Sequence, residues 1–185
     1  GTHDCCEHHN HEHGDECSEE QHHHESSADP HTWTSVKNAK VIANNMYNVV
    51  IAIDSLNRDF YQSNYNTLIA SLDSLDAYAS DALASHKGES FLVWHPSLSY
   101  FARDYGLEQI TIGQIGKDLS AKQLQEQIDE AREHKAKVFF FQKEFDSQQA
   151  SVLSEQIGAK MVTINPLSYD WEAEVRRIVD AIGSK

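Results

Sequence analysis

Residues 90–112 read SFLVWHPSLSYFARDYGLEQITI. SFLVW is an apolar run of strand length, the middle has the texture of a helix closed at Gly106, and EQITI is a second short β-rich run. The alternation continues downstream. A helix spans Ser120 to His134, with Ser120 and Gln123 at capping-box spacing. KVFFF (137–141) is a third strand. The next helix is placed to be capped by Asp146 and Gln149 and ends at Gly158. KMVTI (160–164) is a fourth strand, and Asp170 to Ile182 is the last helix. Short strands separated by helices imply an α/β fold: a four-stranded parallel sheet flanked by helices on both faces. Ligands of such sheets bind beyond the carboxyl ends of the strands. The residues there are His95, Gly113, Gln142 and Asn165, one after each strand.

Upstream the apolar period becomes helical. From Ser35 to Ile53, the positions Ala39, Ile42, Met46, Val49, Val50 and Ile53 share one face. DSLNRD interrupts the pattern. A long second helix runs from about Arg58 to Ser85 with the stripe Tyr61, Tyr65, Leu68, Leu72, Leu75 and Ala79. Its roughly three heptads are the lower limit for a coiled coil, and a straight helix packed on one side is the better description. HKG (86–88) closes it, with Gly88 suited to a left-handed cap.

Residues 1–28 are different in kind. They have almost no aliphatic side chains, so they cannot bury a core and read as a disordered loop. The loop holds His3, His8, His9, His11, His13, His22, His23 and His24, all three cysteines (Cys5, Cys6 and Cys17), and most of the nine acids that precede Pro30. The net charge of −14 argues against nucleic acid or an anionic membrane surface as partner and suits a divalent cation. The odd cysteine count and the absence of a CxxC pair give no disulfide framework. No apolar run reaches the roughly 20 residues of a membrane span. No secretory leader is visible ahead of the histidine tract, and an upstream segment removed from the chain is one reading of that start. Imidazole, thiolate and carboxylate together attract zinc and copper. A purification tag, a metal sink and a loop feeding a tighter site all fit the tract.

His31 stands apart. Pro30 fixes its own φ and restricts Asp29, Trp33 supplies an apolar anchor, and a helix begins directly afterwards, so His31 sits at the edge of a folded region. It is either an ordinary loop histidine or a metal ligand. His95 ends an apolar strand and is followed by Pro96; it is either structural or functional. His86 and His134 lie near helix C-termini, where a partial positive charge complements the helix dipole. The chain has no Gly-rich phosphate loop and no GxSxG elbow, and Ser97 near His95 is the sole hint of a nucleophile, so no enzyme is expected.

DPHTWTSVKNAKVIA (29–43), LVWHPSLSYFARDYGL (92–107), VFFFQKEFDSQQASVLSEQIGAKMVTINPLSYDW (138–171) and the histidine-rich loop upstream resemble the zinc/manganese substrate-binding proteins of ABC importers. The resemblance covers Asp29 to the C-terminus. It implies two α/β lobes joined by a long rigid helix, with metal held in the cleft between them. Divided accordingly, residues 1–28 are the loop, 29–57 a remnant of the N-terminal lobe, 58–87 the backbone helix between lobes, and 88–185 the C-terminal lobe. The resemblance implies His31 and His95 as metal ligands. Asn165 stands where many members carry an aspartate, and a neutral amide is a poor zinc ligand. The imidazole-rich set favours Zn2+ over the alternative, Mn2+. The eight loop histidines are then a low-affinity antenna.

The implied function is the extracytoplasmic or periplasmic component, lipid-anchored or free, that delivers zinc to an ABC permease. The rival is a stand-alone histidine-rich metal buffer or metallochaperone. The resemblance implies that this chain lacks most of the N-terminal lobe, so that either the chain is a fragment or another chain supplies the missing face. The helix at 35–53 is therefore expected to lose most of its packing partners, leaving the His31–His95 separation to depend on how that helix docks.

Overall fold

A computed structural model describes residues 28–112, 120–142 and 147–184. In chain order the elements are α1 (Val36–Ile53), α2 (Arg58–Ala82), β1 (Ser90–Val93), α3 (Ser99–Tyr105), β2 (Glu108–Thr111), α4 (Ala121–Glu133), β3 (Val138–Gln142), α5 (Ser147–Ile157), β4 (Lys160–Ile164) and α6 (Trp171–Gly183). Short 3-10 turns lie at Thr32–Thr34, Ser55–Asn57 and Ala84–His86.

The strands form one parallel sheet in the order β2-β1-β3-β4. Successive side chains of a strand point to opposite faces, so the central strands β1 and β3 feed two cores. Phe91, Val93, Val138 and Phe140 pack with Leu75 and Ala79 of α2, Phe101 of α3, and Val175 and Val179 of α6. Leu92, Phe139 and Phe141 pack on the other side with Ile128 and Ala131 of α4 and Leu153 of α5. Burial on both faces is why these strands read as nearly unbroken apolar runs. The sheet and its two helical layers are those expected from the sequence. The chain leaves β1 for β2 on one side, while β3 lies on the other. The crevice of this sheet therefore opens between the carboxyl ends of β1 and β3.

Local chemistry sets the element ends. Ser120 and Gln123 form the expected capping box on α4, and the Asp170 carboxylate caps α6 by accepting the Ala173 N–H. The α2 helix stops at Ala82, short of Ser85, because Ala84–His86 tighten into a 3-10 turn. Gly88 does adopt φ +82°, but in the link to β1, where its N–H donates to the Gly106 carbonyl at 2.7 Å. The proposed caps Asp146 and Gln149 include one, Asp146, outside the described residues; so are Gly113, the cysteines and the eight loop histidines.

At the N-terminus of α1, the Ser35 hydroxyl accepts the Asn38 N–H at 3.0 Å and donates to Asp104. Lys40 bridges α1 to α2 through Asp73 (2.7 Å) and Asp76 (3.0 Å). Beyond these ties α1 buries only Val36 and Ala43. Met46, Val49 and Ile53 of α1, with Leu56 and Phe60 after it, form an exposed apolar face; Ile53 is 81% and Leu56 97% exposed.

Candidate metal centre

Two segments build the site. In the first, the Asp29 carboxylate accepts the backbone N–H of His31 at 2.9 Å, the short local turn that an Asp-Pro pair favours. The chain then winds into the Thr32–Thr34 turn, whose Thr34 hydroxyl donates to the His31 carbonyl at 2.8 Å. Trp33 fastens this turn to the far end of the sheet. Its indole N–H donates to the Pro166 carbonyl (3.0 Å), and the Trp171 indole donates to the Trp33 carbonyl (3.1 Å).

The second segment follows β1. Ser97 N–H donates to the His95 carbonyl at 2.7 Å, turning the chain sharply after Pro96. Two side-chain amides shape this loop: Gln142 of β3 donates to the Ser97 hydroxyl (2.9 Å), and Gln109 of β2 accepts the Leu98 N–H (2.7 Å). His95 thus stands at the crevice between β1 and β3, where a parallel sheet places its ligands.

The two histidines meet. Their Nε2 atoms are 3.0 Å apart, with the rings edge to face at 83°. The His31 Nδ1 lies 2.6 Å from the Asp29 carboxylate, which assigns its proton to Nδ1 and leaves a lone pair on Nε2. The 3.0 Å contact is then a hydrogen bond donated by His95 Nε2–H. Two nitrogens bound to one tetrahedral zinc at 2.0–2.1 Å lie roughly 3.3 Å apart. For both Nε2 atoms to face one ion, His95 would carry its proton on Nδ1 instead, and the two nitrogens would part by roughly a few tenths of an ångström.

Electrostatics favours a neutral His95 beside an ionised Asp29. Burial pushes the His95 pKa down, His31 lowers it further, and Asp29 opposes only in part, so the imidazole is neutral near pH 7. Burial pushes the Asp29 carboxyl up, but hydrogen bonds from Ser99 and His31 outweigh it and hold the group below its ordinary value.

The structure therefore brings His31 and His95 together. Their separation is set less by α1 than by Trp33, Trp171 and Asp29, which fasten the DPH segment to the sheet unit. Asn165 is used otherwise: it is exposed, its side-chain oxygen accepts the Leu167 N–H at 3.1 Å, and its own N–H donates to buried Glu174 at 2.7 Å. His86 is buried with Nδ1 3.1 Å from Glu89, and His134 caps α4 with Nδ1 3.4 Å from Glu108. Among the described residues no group of three or more His, Cys, Asp or Glu side chains is arranged to hold a metal. Two imidazoles are half of the roughly four ligands that a closed zinc site wants. Asp29, Ser99, Gln109 and Glu174 were not singled out from the sequence. For Asp29 a signal exists, since Asx residues bond the backbone two residues on and His31 is at that position.

Known proteins are similar to this chain in sequence and fold. The high-affinity zinc uptake system protein ZnuA of Bacillus subtilis is 34% identical over 142 residues, covering 75% of this chain. The zinc-binding lipoprotein AdcA of Streptococcus pneumoniae is 31% identical over 159 residues, covering 85%. A crystal structure of a ZnuA deletion mutant with zinc bound superposes with a TM-score of 0.77 at 32% identity, covering 85% of this chain. The chain spans 44% and 30% of the length of the two relatives and 61% of the solved chain. The family model described as zinc-uptake complex component A, periplasmic, matches residues 2–182, and the chain belongs to that family.

Proposed function

We propose that this chain is the C-terminal portion of the extracytoplasmic component that binds zinc and delivers it to the permease of an ABC importer. It binds and presents the ion and does no chemistry on it. His31 and His95 are its ligands, and the remaining ligands come from outside the described residues. The observation that carries this is the 3.0 Å convergence of two Nε2 atoms at the crevice of the sheet. A site of imidazoles favours zinc over manganese, which prefers harder oxygen ligands. Residues 29–57 belong with a preceding lobe, and the exposed apolar face of α1 and the turn after it is where that lobe packs. The eight histidines of residues 1–28 act as a low-affinity antenna. A periplasmic or membrane-anchored location outside the cytoplasm follows from the same role, as in the relatives named periplasmic and lipoprotein.

Calorimetry tests this on the 185-residue chain beside the protein carrying its upstream sequence. The longer protein should show one tight zinc equivalent that either His31→Ala or His95→Ala abolishes. Several similar weak equivalents, indifferent to both substitutions in both proteins, would instead identify a histidine-rich metal buffer.

A further inference from the structure

We propose that Asp29 is the positioning residue of the metal site: its carboxylate fixes the tautomer of His31 with one oxygen and ties that ligand to the helix following His95 with the other. The inference rests on His31 being a ligand, as proposed above. Four hydrogen bonds converge on this one residue. Its Oδ1 accepts both the His31 backbone N–H (2.9 Å) and Nδ1–H (2.6 Å). Its Oδ2 accepts the Ser99 hydroxyl, and its carbonyl accepts the Tyr100 hydroxyl at 2.8 Å. Ser99 and Tyr100 open α3, four and five residues beyond His95. The segment bearing one ligand is thus clasped to the element that leaves the other.

This clasp does two things. It selects the proton position, because a ring held through Nδ1–H must offer its lone pair at Nε2, the atom that faces His95. It also limits ring rotation, since both the ring and the backbone of His31 bond to the same oxygen. An unconstrained histidine side chain in water prefers the opposite, Nε2–H, tautomer, so a Nδ1–H form at His31 reports the clasp directly.

The test uses the 15N-labelled 185-residue chain at mildly alkaline pH without metal, with His31 and His95 ring signals assigned through single substitutions. Long-range 1H–15N spectra should show His31 with its proton on Nδ1. Asp29→Ala should return it to the Nε2–H form. Asp29→Asn should keep the Nδ1–H form, because the His31 N–H still requires the amide oxygen there and the amide NH2 turns to Ser99. Zinc titration followed at those two ring signals, which excludes binding by the loop, should require roughly 10–100-fold more zinc for Asp29→Ala and less of an increase for Asp29→Asn. Finding His31 in the Nε2–H form in the unsubstituted chain overturns the proposal, whether or not any variant folds. An unaltered tautomer and zinc response in Asp29→Ala does the same. If His31→Ala leaves the zinc response at His95 unchanged, the ligand role of His31 fails instead, and the tautomer result then describes structure alone.

Discussion

Glu174 is a carboxylate only 6% exposed, and it faces away from solvent to accept the Asn165 N–H at 2.7 Å. Its second oxygen lies 3.8 Å from the Arg177 guanidinium. The bond matters beyond its own strength because the next carbonyl along, that of Pro166, receives the Trp33 indole. Glu174 therefore supports the turn on which the His31 segment rests. Removing the acceptor strands a backbone N–H, and hydrogen bonds to charged groups contribute about 1.5–3 kcal/mol. Glu174→Ala is expected to lower stability by about 2 kcal/mol, or roughly 4–8 °C in melting temperature for a domain of this size. Thermal unfolding followed by circular dichroism measures it. A shift below 1 °C would mean that the turn is held by Asn165 and Trp33 without help.

At the scale of elements, the long α2 helix is latched to α6 by a row of polar contacts outside the core. The Ser71 hydroxyl donates to Glu172 at 2.9 Å, Arg176 donates to Glu172 at 2.9 and 3.1 Å, and the Arg176 guanidinium lies 4.7 Å above the Tyr78 ring. The Tyr78 hydroxyl reaches Asp180. Hydrogen bonds from Arg176 and then Ser71 hold the Glu172 carboxyl below its ordinary range, with burial opposing weakly. A depressed carboxyl contributes stability above its unfolded pKa, near 4.3, and loses it as pH falls through the folded value. The groups are partly exposed, so the contribution is under about 1 kcal/mol. Glu172→Gln should therefore be slightly less stable than the unsubstituted chain in urea at pH 7, and the difference should shrink as pH falls through the folded pKa of Glu172. A difference that persists in acid would show that the side chain matters through packing.

At the scale of the whole molecule, the sheet is covered by helices on both faces while the outer face of α1 is exposed. Val49 is 57% exposed on that face. In this chain Val49→Glu should change stability by no more than about 0.5 kcal/mol, as exposed substitutions do. If a preceding lobe packs there, the same change in the longer protein buries an unpaired carboxylate and should cost several kcal/mol. Urea midpoints of both proteins decide the matter; equal effects would mean that the face stays wet. The difference in legibility follows the same line. The central strands β1 and β3 could be read because they are buried on both faces, and α1 and α2 because their apolar stripes hold the helical period over many turns. His95 could be read as a polar residue closing an apolar strand before a proline. The meeting of His31 with His95 could not be read from local pattern. It depends on Trp33 reaching Pro166, 133 residues away, and on Ser99 reaching Asp29. Periodicity carries no information about such contacts. The turn bond of Asn165 was likewise hidden, since an Asn after a strand serves a turn as readily as a ligand.

The indole of Trp33 lies 5.5 Å from the His31 ring, Trp94 directly precedes His95, and Trp171 donates to the Trp33 backbone. These are all the tryptophans of the chain. Part of the protein's near-ultraviolet emission, that of Trp33, therefore originates beside an imidazole of the pair, which makes it an optical gauge of occupancy. A quenching ion such as Cu2+ or Co2+ seated between His31 and His95 should darken the emission, and His95→Ala should restore the light.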